Sequence, residues 1–362
     1  MRIMSVVGAR PQFVKLGPIA RAFRSHPEIE HLIVHTGQHY DPMLSDAFFA
    51  DLEIEPPTVH LGVGSGTHGR QTGAMLADLD GVLEEHAPDW VLVYGDTNST
   101  LAAAIAAVKM HIPLAHLEAG LRSFNRRMPE EHNRVLTDHA ADLLLAPTEV
   151  AVQHLVNEGL GGKARLVGDV MTDVCFSTRD AVAGDHPTLP AGVSPDAPYV
   201  VATIHRADNT DDPARLSAIA DALGQVAAPV VLLAHPRLVA KAAQAGIELA
   251  RGGVHVVSPL AYPQMVRTVA GAAGVITDSG GLQKEAYLLR TPCTTLRSET
   301  EWVETLVDGW NILDPALERL TEVAVRPRPT GQQAQPYGDG RAASRVAQVL
   351  LDEGRPVEVG SR

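Results

Sequence analysis

Three acids in the first half of the chain and one turn in the second are of the types that proton and phosphate chemistry require. The turn is Asp278-Ser279-Gly280-Gly281-Leu282-Gln283-Lys284-Glu285, which follows the apolar run Gly274-Val275-Ile276 and opens an amphipathic segment. It reads as a strand, a tight turn and a helix N-terminus. Two glycines behind a serine leave backbone N–H groups uncovered by a Cβ, and with the helix dipole they make an anion site suited to phosphate. Glu285, one turn further in, cannot serve a phosphate but can accept the two hydroxyl protons of a ribose diol. Together these features point to a nucleoside diphosphate at the C-terminal edge of a sheet, although a lone Ser-Gly-Gly also occurs in ordinary strand-to-helix turns.

The acids are Asp96, Glu118 and Glu130. Asp96 follows a strand at 89–94, where an aspartate usually caps a helix, yet Thr97, Asn98, Ser99 and Thr100 already supply caps and free it for a ligand. Glu118 leaves the neighbouring strand, 113–117, at the same sheet edge. Glu130 stands behind Pro129 at the start of another helix, where pairing with the dipole would account for it. Three acids converging on one edge are harder to explain that way. Arg10 and Lys15 lie in the turn Gly8-Ala9-Arg10-Pro11-Gln12 and the first helical turn after it, where a cation opposes the dipole. An anionic ligand would explain them, and solvated surface charge is the plain alternative for Lys15.

The elements that position these residues alternate. Apolar runs at 2–7, 31–35, 58–61, 89–94, 113–117, 143–146 and 164–167 are separated by helical patterns, and a second series runs through 199–204, 229–234, 254–257, 274–276, 294–297 and 311–313. This predicts an α/β chain of two Rossmann-like domains facing across a cleft, a length of 362 residues being right for two cores. The expected division is 1–170 for the first domain, 171–340 for the second, a helix at 341–353 packing back on the first, and a tail at 354–362. The stretch 183–198, rich in Pro, Gly and Asp, is the linker candidate. The Gly-rich 62–66 lacks a dinucleotide fingerprint and reads as a flexible loop.

Composition narrows the partners. An apolar content of 45% with 4% aromatics suits buried parallel strands. A net charge of -13 argues against nucleic acid and anionic membranes while allowing a local basic pocket for a small ligand. Cys175 and Cys293 lack disulfide or zinc spacing, and no signal stretch or membrane span is evident, so a cytoplasmic protein is expected.

Taken together, Gly8-Ala9-Arg10-Pro11-Gln12, Gly95-Asp96-Thr97-Asn98-Ser99-Thr100, His116-Leu117-Glu118-Ala119-Gly120-Leu121-Arg122, Pro129-Glu130-Glu131-His132-Asn133-Arg134, His205-Arg206 and Asp278 through Glu285 resemble the non-hydrolysing UDP-N-acetylglucosamine 2-epimerases, in order and over nearly the whole chain. The resemblance implies a GT-B fold, commonly a homodimer, that interconverts UDP-N-acetylglucosamine and UDP-N-acetylmannosamine without cofactor or metal. It implies that Arg10, Lys15, Ser279, Gly280, Gly281 and Glu285 hold UDP and that Leu260 and Met265 contact uracil. Asp96, Glu118, Glu130 and His205 would surround the sugar, with Arg134 orienting the acids. Some members are activated by their own substrate at a neighbouring site, for which Gln38, His39 and Arg70 are the candidates. Two positions depart from the pattern. Thr300-Glu301-Trp302-Val303-Glu304 carries Trp302 where Arg-Pro follows Thr-Glu in the best-known bacterial members, leaving Arg297 to compensate, and Asp208 stands where glutamate is common.

Inverting a sugar C2 means breaking a C–H bond that no carbonyl acidifies. Expelling UDP as that proton leaves gives a glycal, the intermediate the resemblance implies, and re-adding UDP with protonation from the other face gives the epimer. A base and an acid on opposite faces are required, with pKa values drawn toward neutrality by burial or crowding. Which acid faces which side is open. Competing readings are a hydrolysing epimerase, which releases free N-acetylmannosamine, a GT-B glycosyltransferase, and a non-catalytic nucleotide-sugar sensor.

Overall fold

Short runs of Val, Leu and Ile become the strands of two parallel sheets. The computed structural model describes residues 1–38 and 54–354, and the chain divides into two units, Met1–Val174 joined by the segment from Gln335 onward, and Cys175–Ala334.

In the first unit the strands are β1 (Arg2–Val7), β2 (Glu30–His35), β3 (Val59–His60), β4 (Trp90–Tyr94), β5 (Leu114–Leu117), β6 (Leu143–Ala146) and β7 (Ala164–Leu166). Among the described residues they form one sheet in the order β3-β2-β1-β4-β5-β6-β7, all neighbours parallel. Val6 lies opposite Val34 on one side and Val93 on the other. β4 is buried along its whole length, which is why it reads as an unbroken apolar run. Phe13, Leu16, Ile19 and Phe23 of the helix Arg10–Arg24 cover one face together with Val346, Ala347 and Leu350 of the helix Ala342–Glu353. Met75, Leu79 and Leu83 of His68–His86 and the alanines of Asn98–Lys109 cover the other. Each large side chain so buried contributes about 1.5–3 kcal/mol. The Asp173 carboxylate accepts hydrogen bonds from the N–H groups of Ala342 (2.9 Å) and Ala343 (2.8 Å), fixing the start of the last helix on the first unit.

In the second unit β8 (Val200–Thr203), β9 (Val230–Leu233), β10 (Val254–Val257), β11 (Gly274–Thr277), β12 (Cys293–Thr295) and β13 (Asn311–Leu313) are likewise parallel, in the order β10-β9-β8-β11-β12-β13. Val200, Ala202, Val230, Leu232 and Ile276 pack with Leu216, Ile219, Leu223 and Leu238. In both sheets the winding reverses next to the first strand, between β1 and β4 and between β8 and β11. At such switch points the loops leaving the two strands diverge and open a ligand crevice. The loops concerned carry Arg10 and Asp96 in one unit, and His205 and Ser279 in the other.

Three expectations are corrected. The chain crosses from the first unit to the second inside the helix Val170–Ala181, because Val170, Val174 and Cys175 continue an apolar helical face. The Pro/Gly/Asp-rich 183–198 instead belongs to the second unit, where the Thr188 N–H donates to Thr268 Oγ1 at 3.1 Å. The second crossing comes before Gln335 rather than at 340, since buried Tyr337 accepts from the Asp169 N–H at 2.9 Å. The loop 62–66 is tied down at Val63 and Gly64, which donate to the carbonyls of Thr36 and Gly37, the Gln71 amide donating in turn to Gly64 O at 2.7 Å. Among the described residues no helix is long and apolar enough to cross a membrane, and no group of three or more His, Cys, Asp or Glu could hold a metal ion.

Candidate active site

The first turn is locked by Gln12. Its buried side-chain oxygen accepts from the N–H groups of Gly8 (2.8 Å) and Ala9 (3.0 Å), while its amide donates to Tyr94 O (2.9 Å) and Thr100 Oγ1 (3.1 Å). Gly8 must be glycine, because a Cβ there would overlap the hydroxyls of Thr36 and Ser99. The turn leaves Arg10 exposed at the helix start and carries Lys15 inward to an ion pair with Glu118. Burial alone would lower the Lys15 pKa, but Glu118 above all, with Asp96 and Asp169, holds it above its ordinary value and keeps the ammonium charged.

The acids stand at the ends of β4 and β5. Gly95 (φ 60), Glu118 (φ 72) and Gly120 (φ 81) are left-handed, a conformation uncommon for a residue with a Cβ such as Glu118. The Glu118 carboxylate folds back over Gly95, where an added Cβ would lie 3.0 Å from its Oε2 and 3.4 Å from Lys15 Nζ. Asp96, next along, pairs with Arg134, whose other nitrogen lies 2.9 Å from Glu131. Glu131 also accepts from the Ser123 N–H (2.9 Å), the Ser123 hydroxyl (2.8 Å) and the Phe124 N–H (2.9 Å). Burial would raise its pKa, and these donors with Arg134 more than offset that and hold it low. Glu130 is half-buried at the helix start, and its carboxylate makes no hydrogen bond or ion pair to another described residue. The structure therefore gathers Lys15, Asp96, Glu118 and Arg134, and leaves Glu130 one helical position away from the acid that Arg134 engages.

In the second unit Asp278 organises the switch point. Buried at the end of β11, it accepts from the N–H groups of His205 (3.1 Å) and Arg206 (3.0 Å) and from the Asn209 amide (3.1 Å). His205 Nδ1 lies 3.3 Å from its Oδ1. Ser279 caps the helix Gly280–Leu288, accepting from the Leu282 N–H at 3.4 Å. Gln283, fully buried, donates to Ser279 O (3.2 Å) and accepts from the Thr300 hydroxyl (2.7 Å), tying the 297–302 loop to that helix. A Cβ on Gly280 would overlap the Glu301 carboxylate, which Arg297 holds at 2.8 Å. Arg297 is thus engaged with Glu301, and Trp302 lays its ring against Lys284, Nζ 4.1 Å from the centroid.

Burial pushes the Glu285 carboxyl up to about 7. The Tyr262 hydroxyl lies near it and near Cys175 without an aligned partner among the described residues. Burial pushes the Cys175 thiol up to about 12, so it is inert. Leu260 and Met265 are half-buried, one just before and one in the first turn of the helix Tyr262–Gly271.

Residues 21–351 match the family model for UDP-N-acetylglucosamine 2-epimerase. The chain belongs to the UDP-N-acetylglucosamine 2-epimerase family. A Pseudomonas aeruginosa relative, a UDP-2,3-diacetamido-2,3-dideoxy-D-glucuronate 2-epimerase, is 44% identical over 97% of this chain and 99% of its own. The Methanocaldococcus jannaschii UDP-GlcNAc 2-epimerase, solved with UDP-GlcNAc and UDP, is 35% identical with a TM-score of 0.78, covering 97% of this chain and all of that one. The Neisseria meningitidis UDP-GlcNAc 2-epimerase bound to UDP-GlcNAc is 26% identical with a TM-score of 0.82, over 97% and 100%. The present epimerase shares their two-domain α/β fold of the GT-B type.

Of the residues suggested for a second ligand site, Gln38 of the epimerase is engaged internally, accepting from the Ser99 N–H (2.9 Å) and hydroxyl (2.7 Å). Arg70 is exposed on His68–His86, and His39 lies outside the described residues. Gln12, Asp278 and Gln283 stand in motifs read from the sequence but are given no role there, and Tyr262 is not read at all. Only Gln12 left a signal, a glutamine at the third position of a helix that begins with Arg-Pro, where it can reach back to the preceding amides.

Proposed function

We propose that this epimerase inverts C2 of a UDP-linked 2-acetamido sugar by expelling UDP and adding it back. One carboxylate removes the C2 proton as the C1–O bond to UDP breaks, the C–H electrons becoming the C1–C2 double bond of a glycal. UDP then attacks C1, and an acid returns a proton to C2 from the opposite face. The observation that carries this reading is the pairing of Lys15 with Glu118 and of Arg134 with Asp96 at adjacent strand ends. Two cations offset the repulsion between two acids and fix where each points, so that the acids are oriented before the substrate arrives. Asp96, Glu118 and Glu130 carry the proton chemistry. His205, the Ser279-Gly280-Gly281 turn and Arg10 stabilise charge growing on the departing diphosphate, Glu285 binds the ribose, and Leu260 and Met265 flank uracil.

UDP-N-acetylglucosamine, giving UDP-N-acetylmannosamine, is the first substrate to test, supported by the Methanocaldococcus and Neisseria epimerases. A UDP-2,3-diacetamido-2,3-dideoxy-D-glucuronate is the second, favoured by the 44% relative. The purified protein is incubated with each in deuterated water. The reading expects a UDP-linked epimer carrying deuterium at C2. Free sugar plus UDP would make it a hydrolysing epimerase, and no change without an added acceptor would favour a transferase or a sensor. Light scattering on the same sample tests the expected homodimer.

A further inference from the structure

Behind Asp96 and Glu118 lies a charged cluster that the proposed reaction does not touch. His116 on β5 and Asp138 on the helix Pro129–Ala140 are both 0% exposed. His116 Nδ1 is 2.7 Å from Asp138 Oδ1, and its Nε2 is 2.7 Å from the carbonyl oxygen of Gly95. The second Asp138 oxygen accepts from the Gly120 N–H at 3.0 Å and pairs with Arg122 at 2.7 Å. Arg122 in turn makes a two-pronged bond to Glu158, both contacts at 2.7 Å.

One carboxylate is therefore tied to both acid-bearing turns. Through His116 it holds the carbonyl just before Asp96, and directly it holds the amide two residues after Glu118. Both turns need holding, because both pass through left-handed conformations. Gly120 is further confined by the Ala151 carbonyl, which a Cβ there would overlap. Buried charges of this kind are a weak source of stability compared with apolar packing, so their use behind two acids calls for a reason beyond folding. Burial would raise the Asp138 pKa, and His116 and Arg122 more than offset it, so the carboxylate is ionised and accepts at both oxygens.

We propose that His116 and Asp138 are positioning residues for the epimerisation, setting where Asp96 and Glu118 stand relative to C2. The proposal rests on the reaction given above. It is tested with Asp138→Asn and His116→Gln, using whichever of the two UDP-sugars the native enzyme turns over, with hydrogen or deuterium at C2. Rates are normalised to folded protein by UDP-binding stoichiometry. The expected result is a kcat lower by roughly 10- to 100-fold with KM changed by less than about threefold, and a larger C2-deuterium isotope effect as proton transfer becomes the slow step. Glu158→Gln, which loosens Arg122 at its outer end, is expected to lower thermal stability with kcat and isotope effect unchanged. A native kcat per folded molecule and a native isotope effect in His116→Gln, the variant that keeps every Asp138 contact to Gly120 and Arg122, would overturn the proposal even if Asp138→Asn failed to fold. Asp96→Asn is run alongside. Full turnover in that variant sinks the underlying reaction, whereas its loss together with unaffected His116→Gln sinks only the positioning role.

Discussion

Arg134 binds Asp96, 38 residues away, and Glu131, one turn away, with different nitrogens of the same guanidinium. Asp96 is thus oriented by a helix whose own position is fixed by Glu131 on the 123–124 turn. Replacing Asp96 with Asn removes a proton carrier and keeps the shape. Turnover is expected to fall by at least about a hundredfold with UDP affinity within about threefold, as read by initial rates and calorimetric UDP titration. Arg134→Lys keeps a charge but cannot serve both acids from one planar fork, and should fall between the two. Unchanged turnover in Asp96→Asn removes that residue from the mechanism.

Lys15 and Glu118 make a buried pair in which each is the main compensation for the other. Lys15→Met strands the Glu118 carboxylate, so urea unfolding should show a loss of about 3–5 kcal/mol. The double variant Lys15→Met with Glu118→Gln should recover most of that loss, because no charge is left uncompensated. Additive losses would mean that the two groups stabilise the fold independently.

The same contrast explains what could be read without a structure. Parallel strands buried on both faces appear as apolar runs, so β1, β4 and β11 and the acids and glycines at their ends were visible along the chain. Asp138 was not, since an aspartate in the last turn of an amphipathic helix looks the same whether it faces solvent or a histidine on a strand 22 residues away. The linker expected at 183–198 was misplaced because Pro, Gly and Asp mark exposed backbone rather than a change of core. A continuous apolar face at 170–181 carries the crossing instead. The ties at Val63 and Gly64 were hidden because their partners are the backbone of Thr36 and Gly37 and the side chain of Gln71.

Gly280 and Gly281 are adjacent but differ in what surrounds them. A methyl on Gly280 meets the Glu301 carboxylate that Arg297 holds, whereas one on Gly281 finds only Ser279 Oγ at 3.9 Å. Gly280→Ala should displace the 297–302 loop, weakening UDP binding about tenfold and lowering stability by about 1 kcal/mol. Gly281→Ala should leave stability within about 0.5 kcal/mol of native. Thermal melts with and without UDP compare the two, and equal melting temperatures for both apo variants would show that Glu301 yields without cost.

Glu285 gives the fold a pH dependence of definite sign. Burial lifts its carboxyl from an ordinary 4.5 to about 7. Below the lower value it is protonated whether the chain is folded or not. Between the two values only the unfolded chain ionises, so stability falls as pH rises, and above about 7 the loss is complete at something on the order of 3 kcal/mol. Glu285→Gln abolishes the ionisation. The stability of the variant relative to native should therefore climb between about pH 5 and about pH 8, measured as the difference in urea unfolding free energy. UDP should nevertheless bind the variant more weakly at the higher pH, because an amide oxygen replaces a carboxylate that can accept from both ribose hydroxyls. Tyr262→Phe removes the hydroxyl that draws the Glu285 pKa down and should move the midpoint higher. A difference that stays flat across the whole range would mean that Glu285 is ionised throughout, and that its burial is relieved by a partner other than Tyr262 or Lys284.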